Sequence, residues 1–227
     1  MLENVAKNLH TWDKKHTWSK DGDEWVGQAE LCGVPYEVWK ESLVRNLLVP
    51  YVTAETTVLE IAPGHGRWTE YLARLAGRLS VVDLSGSCLS YCRDRFESHR
   101  NIDYYLTSGD TLPWCAGGLI DFVWSYDSFV HMDRQVIQAY LGEIRRVLKA
   151  GGSAMIHHSN IDDPANHRQD DHPGWRSAMT AELMCQLAAE ANLSVVSQFV
   201  FWDIGRRIGV PRFGDRIAHL RREPTWV

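Results

Sequence analysis

Side chains able to accept a proton gather at a few points of this 227-residue chain. The stretch Ser125-Tyr-Asp-Ser-Phe-Val-His-Met-Asp133 carries Asp127 and His131, and Ile156-His-His-Ser-Asn160 sets His157 and His158 side by side at the end of an apolar run. A histidine with an ordinary pKa near 6.5 takes up a proton at neutral pH, so either stretch could offer a general base to a hydroxyl nucleophile. A third stretch, Val58-Leu-Glu-Ile-Ala-Pro-Gly-His-Gly-Arg-Trp68, is of another kind. Gly64 and Gly66 let the backbone bend sharply and come close to a ligand, and the helix start behind them offers free N–H groups. Asp83 follows Gly64 by nineteen positions, near the spacing of about 20 residues for a carboxylate that grips ribose hydroxyls. Each feature alone has a plainer explanation: a tight turn, a surface aspartate, or a His131 that packs or caps a helix beginning at Met132. Strand, turn, helix and acid in this order point to a nucleoside-containing cofactor.

The elements that must position these groups alternate between β-rich and amphipathic runs. TVLEIA (57–62) predicts a buried strand, followed by a helix with Trp68, Tyr71, Leu72 and Leu75 on its apolar face. LSVVDL, a helix through Leu89 and Phe96, IDYYL and IDFVWSY come next. A helix with Ile137, Leu141, Ile144 and Leu148 on one stripe is expected to stop at Gly151-Gly152, and SAMIHH is a fifth strand. After a helix around 178–191, LSVVSQFVFW and RIAHLRR complete the set. The pattern predicts an α/β fold with a mostly parallel sheet covered by helices on both faces. Reacting groups then gather beyond the carboxyl ends of the central strands. Adjacent side chains of a strand point to opposite faces, so only one of His157 and His158 looks into such a crevice, and His158 is the preferred one.

Residues 1–52, with Trp12, Trp18, Trp25 and Trp39 among polar neighbours, predict an N-terminal helical cover over a main domain of residues 53–227. The polar stretch 159–174 interrupts the rhythm and is expected to act as a lid. The composition is that of a globular chain, 44% hydrophobic and 23% charged, which excludes a disordered or collagenous protein. With 24 basic against 29 acidic residues and a net charge of -5, the chain is a poor match for nucleic acid. No apolar run reaches the roughly 18 residues of a membrane span, and a cytoplasmic location is expected. Five cysteines without CxxC spacing suggest neither a disulfide framework nor a zinc knuckle; Cys88 and Cys92 are expected to face the core.

The set Glu60-Ile-Ala-Pro-Gly64-His-Gly66, Val-Val-Asp83, Gly109-Asp110, Asp121 to Asp127 and Leu148-Lys-Ala-Gly-Gly152 resembles the ordered motifs of class I S-adenosylmethionine-dependent methyltransferases of the type 11 kind. The resemblance covers about residues 55–160 and implies a Rossmann-like, seven-stranded, mostly parallel sheet whose final strand is antiparallel. It implies S-adenosyl-L-methionine as cofactor, with Glu60 and the Gly64–Gly66 turn under the methionine part, Asp83 on the ribose, and Asp110, Thr111 and Leu112 around the adenine. Ala62 stands where many members have a first glycine. Leu84, Tyr126 and Trp18 complete the expected cofactor contacts. A nicotinamide dehydrogenase shares the glycine turn and the ribose acid, but a carboxylate at Glu60 would repel a pyrophosphate.

On the acceptor side the chain resembles bacterial methyltransferases acting on saccharides or polysaccharide precursors. This implies O-methylation of a small saccharide or glycoside, a methylated mannoside among the candidates. His131 or His158 is the candidate base, and Asp127, His157 and His158 are candidate ligands for a divalent metal such as magnesium. The two histidines fit a hard ion poorly. Trp175, Trp202 and Arg176 are candidate substrate contacts, whereas the arginines between 206 and 222 read as a solvated face or a subunit contact of a homo-oligomer. An N- or O-methyltransferase of natural-product metabolism and a non-catalytic S-adenosylmethionine-binding protein remain alternatives.

Overall fold

The computed structural model describes residues 2–162, 174–205 and 207–224; most of the expected lid lies outside them. Seven strands form one sheet: β1 (Thr57–Ile61), β2 (Arg78–Asp83), β3 (Ile102–Leu106), β4 (Ile120–Ser125), β5 (Leu148–His158), β6 (Ser194–Phe199) and β7 (Arg216–Arg221). Their order across the sheet is β3-β2-β1-β4-β5-β7-β6, parallel from β3 to β5, with β7 antiparallel to both its neighbours. The expected architecture is therefore the observed one, down to the reversed final strand. The central strands read as unbroken apolar runs because both their faces are covered: Val58, Leu59, Val81, Val82 and Val123 have no exposed surface.

Seven α-helices pack around the sheet: α1 (Glu3–His10), α2 (Gly27–Cys32), α3 (Tyr36–Leu43), α4 (Thr69–Leu75), α5 (Gly86–Arg95), α6 (Arg134–Val147) and α7 (Ala181–Glu190). One core layer lies under α6 and α7 and takes in Val5 of α1; the other lies under α3, α4 and Leu89 of α5. Three helix starts are fixed by side-chain caps that accept an otherwise orphan N–H: Ser85 from Cys88, Asp133 from Val136 and Thr180 from Leu183. Trp39, Leu43, Leu47 and Leu48 of the N-terminal region share their core with β1 and β2, so this part of the cover is built into the domain.

One boundary differs from expectation. α6 ends at Val147 with Leu148 already extended, and β5 starts there rather than after the glycine pair. Gly151 lies inside the strand at φ 82°, beside a register irregularity between Ile120 and Phe122 of β4. The glycine thus bends a strand instead of ending a helix, which is the other use of a left-handed residue. Among the described residues, no helix is long and apolar enough to cross a membrane.

Candidate active site

A cavity opens at the carboxyl ends of β1, β2 and β4, where parallel strands all deliver their last residues. One wall of it is the turn Ala62-Pro63-Gly64 with Asp83 and Leu84. Ala62 and Gly64 both have positive φ, 59° and 57°. Gly64 lies against the cover: an added Cβ would stand 2.6 Å from the Trp18 indole, which would have to shift. Gly66 faces Phe96 and Cys92 instead, so it serves helix packing and not the cavity. Asp83 is buried and accepts from the N–H of Ser85 (2.8 Å) and more weakly from that of Gly64 (3.4 Å). Burial pushes its carboxyl up to about 6 against these bonds.

Glu60 lies beneath this wall and not in it. It is 1% exposed, accepts from the Thr69 hydroxyl at 2.6 Å, and burial raises its carboxyl to about 8. Beyond β3, Gly109 lines the cavity but the three residues after it do not. Leu112 is in the core, Asp110 accepts from Ser108, and the Thr111 carbonyl accepts from Thr107. The chain turns away as soon as it has passed the cavity, which spacing along a loop could not reveal.

The N-terminal cover supplies the roof. Trp12, Trp18 and Trp25 line the cavity. Trp18 stacks on His65 (4.9 Å between ring centres, 18° between planes), which stacks on Tyr91 (3.8 Å, 9°). Asp13 ties the cover to the loop after Asp83, accepting from the hydroxyls of Ser85 (2.7 Å) and Ser87 (2.8 Å).

At the other end stand Tyr126, Asp127, His131 and Arg176. Asp127 has φ 60°, a conformation Asp tolerates better than most residues and one that turns its side chain toward the cavity from the end of β4. Its Oδ2 accepts from Nη2 of Arg67 at 2.6 Å, and its Oδ1 lies 3.2 Å from Nδ1 of His157. Burial would raise this carboxyl; the Arg67 guanidinium overrides burial and, with His157, holds it well below the carboxylate range. His131 is 4% exposed, and its Nδ1 has no partner. Its ring lies between those of Trp12 (4.9 Å) and Trp175 (4.8 Å). Burial, aided by the Arg176 charge, pushes the imidazole well below its usual pKa and keeps it neutral.

The two adjacent histidines are resolved against expectation. His157 shares a face with Tyr126 (ring centres 4.4 Å apart) and Asp127. His158 points to the opposite face, between the Ser159 carbonyl (2.7 Å) and Gln198 of β6 (2.9 Å), and burial lowers it to about 4. His158 is therefore neither a base nor a ligand in this cavity. The candidate metal set fails with it: Asp127 is already neutralised by Arg67, and Asp127 and His157 meet while His158 lies on the other face. Among the described residues, no group of three or more His, Cys, Asp or Glu side chains could hold a metal ion.

Arg176 lines the cavity but is locked to Asp215, with Nε 3.0 Å and Nη2 2.9 Å from Oδ2. Trp175 packs on His131, and Trp202 lies elsewhere, bonded to Ser42 and packed on Trp39. Arg67, Trp12, Gln28 and Arg212 line the cavity without having been expected there. Arg67 alone had a local signal, a charge directly after the glycine turn at the start of an apolar helix.

Residues 58–152 match the model of a methyltransferase domain. The demethylmenaquinone methyltransferase of Tropheryma whipplei (strain Twist) is 34% identical over 122 residues, covering 52% of this chain and 46% of that protein. The chain thus spans about half the length of the curated relatives it matches. In fold it is similar to a SAM-dependent methyltransferase of Leishmania major (TM-score 0.70, 13% identity, 96% of this chain and 82% of the other). It is also similar to the geranyl diphosphate C-methyltransferase of Streptomyces coelicolor A3(2), solved with Mg2+, geranyl diphosphate and S-adenosyl-L-homocysteine (TM-score 0.68, 12% identity, 97% and 98%). The fold is that of the class I methyltransferases, and residues 58–152 match a methyltransferase domain.

Proposed function

We propose that this protein transfers a methyl group from S-adenosylmethionine to a hydroxyl oxygen of a small acceptor, with His131 as the general base. The observation that carries the reading is the unpartnered Nδ1 of a buried, neutral His131 in the same cavity that presents Asp83 at its other end. When bound, the sulfonium centre supplies an electrophilic methyl group for in-line displacement. Asp83, with the Gly64 turn beside it, offers acceptor oxygens to the ribose hydroxyls, and the Trp18 roof excludes water from the turn. As the acceptor oxygen gains its new bond, its proton becomes strongly acidic, so even a weak base suffices; His131 takes it on Nδ1. The ionised Asp127 nearby favours the imidazolium that forms.

The acceptor in this reading is a saccharide or glycoside. Trp12 and Trp25 offer flat apolar faces for a sugar ring, and the polar groups around Asp127 and Gln28 can bind its hydroxyls. Formation of S-adenosylhomocysteine with a panel of mono- and oligosaccharides tests it. His131→Ala should lower kcat by about 10²- to 10⁴-fold with donor affinity retained. Methylation of an amine, a protein or RNA with no saccharide turnover would reject the acceptor, and donor binding without turnover on any acceptor would favour a binding protein.

A further inference from the structure

Four side-chain donors on residues of the cavity wall are buried without a hydrogen-bond partner: Gln28 Nε2, Arg67 Nη1, Trp68 Nε1 and Tyr126 Oη. Buried donors are rarely left unmet, so a set of them on residues around one cavity calls for an accepting partner. Gln28 is the most informative. Its Oε1 accepts from the backbone N–H of Arg212 at 2.9 Å, which fixes the amide orientation and leaves Nε2 as a donor with nothing to donate to.

Arg212 stands beside it in the same wall. Its guanidinium lies over the Phe213 ring (5.0 Å), which carries Arg176 as well (4.7 Å). Phe213 is held at φ 60°, a conformation unfavourable for a bulky residue. Room for the guanidinium comes from Gly27, where an added Cβ would fall on top of Nη1 of Arg212. Of the three guanidinium groups in the wall, Arg67 is neutralised by Asp127 and Arg176 by Asp215. Among the described residues Arg212 forms no ion pair, so of the described charges in this wall its own is the one left uncompensated.

We propose that the acceptor bears an oxyanion, a carboxylate or a phosphate monoester, bound by Arg212 and the Gln28 amide. The proposal rests on the methyl-transfer reading and narrows its substrate to an acidic or phosphorylated sugar. A carboxylate balances the charge and a phosphate monoester, with a charge of about -1.5 to -2 at pH 7, exceeds it; either offers Gln28 Nε2 an acceptor and holds the far end of the sugar so that a hydroxyl lies near His131. Charge-assisted hydrogen bonds of this kind account for discrimination of at least tenfold over a neutral analogue.

Calorimetric titration of the protein loaded with S-adenosylhomocysteine tests it, with glucuronate compared with glucose and mannose 6-phosphate with mannose. The charged member of at least one pair should bind at least tenfold tighter, and which pair responds separates carboxylate from phosphate. R212Q should abolish the preference, and G27A, which keeps the guanidinium but displaces it, should reduce it even if R212Q folds poorly. Equal binding within both pairs, no binding of either anionic sugar, or a preference that survives both variants overturns the proposal. A tenfold loss of S-adenosylhomocysteine affinity in R212Q overturns it too, because the anion held there would then be the donor's own carboxylate. Failure of S-adenosylhomocysteine to bind the wild type contradicts the methyl-transfer reading instead.

Discussion

Nη2 of Arg67, in the turn after β1, lies 2.6 Å from Oδ2 of Asp127 at the end of β4. This one contact joins the donor-side wall of the cavity to its acceptor side. Arg67 is 6% exposed and also lies over the rings of Trp68 (5.0 Å) and Tyr126 (5.4 Å), so the guanidinium has little access to water, whereas Asp127 is partly exposed.

Removing one partner should therefore cost more than removing both. Asp127→Asn keeps the size and the left-handed backbone preference but strands the guanidinium, and should destabilise the protein by roughly 3 kcal/mol. The double variant R67M/D127N should recover a large part of that loss. Urea unfolding of the two single variants and the double closes the cycle; simple additivity would mean that the pair is not coupled.

The sequence disclosed more of the fold than of this pair. Each strand could be found because burial on both faces leaves an unbroken apolar run, as in Val58-Leu-Glu-Ile61 and Leu79-Ser-Val-Val82, and these runs alternate with helical stripes such as Ile137, Leu141 and Ile144. The end of α6 is ambiguous along the chain because Gly151-Gly152 is equally a helix stop and a strand bend, and only pairing with β4 separates the two. Asp83, Trp18, Asp127 and His131 stand at the cavity because the carboxyl ends of parallel strands, or the cover above them, must put them there. Gln28 and Arg212 are not legible, and Arg67 only as a charge after the glycine turn: what marks their roles is a missing or distant partner, a property of the folded surroundings and not of neighbours along the chain. The choice between His157 and His158 was lost in the same way, since strand alternation gives two faces but not which of them meets β6.

Donor binding should depend on pH through Asp83. The carboxyl titrates at about 6 in the free protein, and ribose hydroxyls are bound best by the ionised form. Affinity for S-adenosylhomocysteine should be flat above pH 7 and fall as pH drops through 6, approaching tenfold per unit, while Asp83→Asn should be weak and insensitive over the same range. The stability contribution runs the other way. The folded carboxyl has a higher pKa than an unfolded one, so this group favours folding increasingly as pH falls from about 6 towards 4. Titrations at pH 5, 6, 7 and 8 check the first statement; affinity rising on acidification would contradict it.

Ala62 holds φ 59° where a glycine would be unstrained. Ala62→Gly should range from neutral to about 1 kcal/mol stabilising, because relief of the left-handed penalty is partly offset by the entropy of the freer unfolded chain. Ala62→Val should lose stability and donor affinity together, since a β-branched residue suits this conformation least. Thermal melts with and without S-adenosylhomocysteine measure both effects.

His158 and His131 should separate stability from chemistry. His158→Ala removes the ring between Ser159 and Gln198 and should lower the melting temperature, with kcat per folded molecule close to wild type. His131→Ala should retain donor binding and lose turnover. An activity loss confined to the His158 variant would return the base to that residue.

The account turns on a donor site formed by the Gly64 turn and Asp83 under the Trp18 roof, and calorimetry with S-adenosylhomocysteine tests it most directly. Wild-type protein should bind one equivalent, with affinity lowered at least tenfold in Asp83→Ala. Absence of binding, equal binding by the variant, or binding of a nicotinamide dinucleotide in its place would contradict the account.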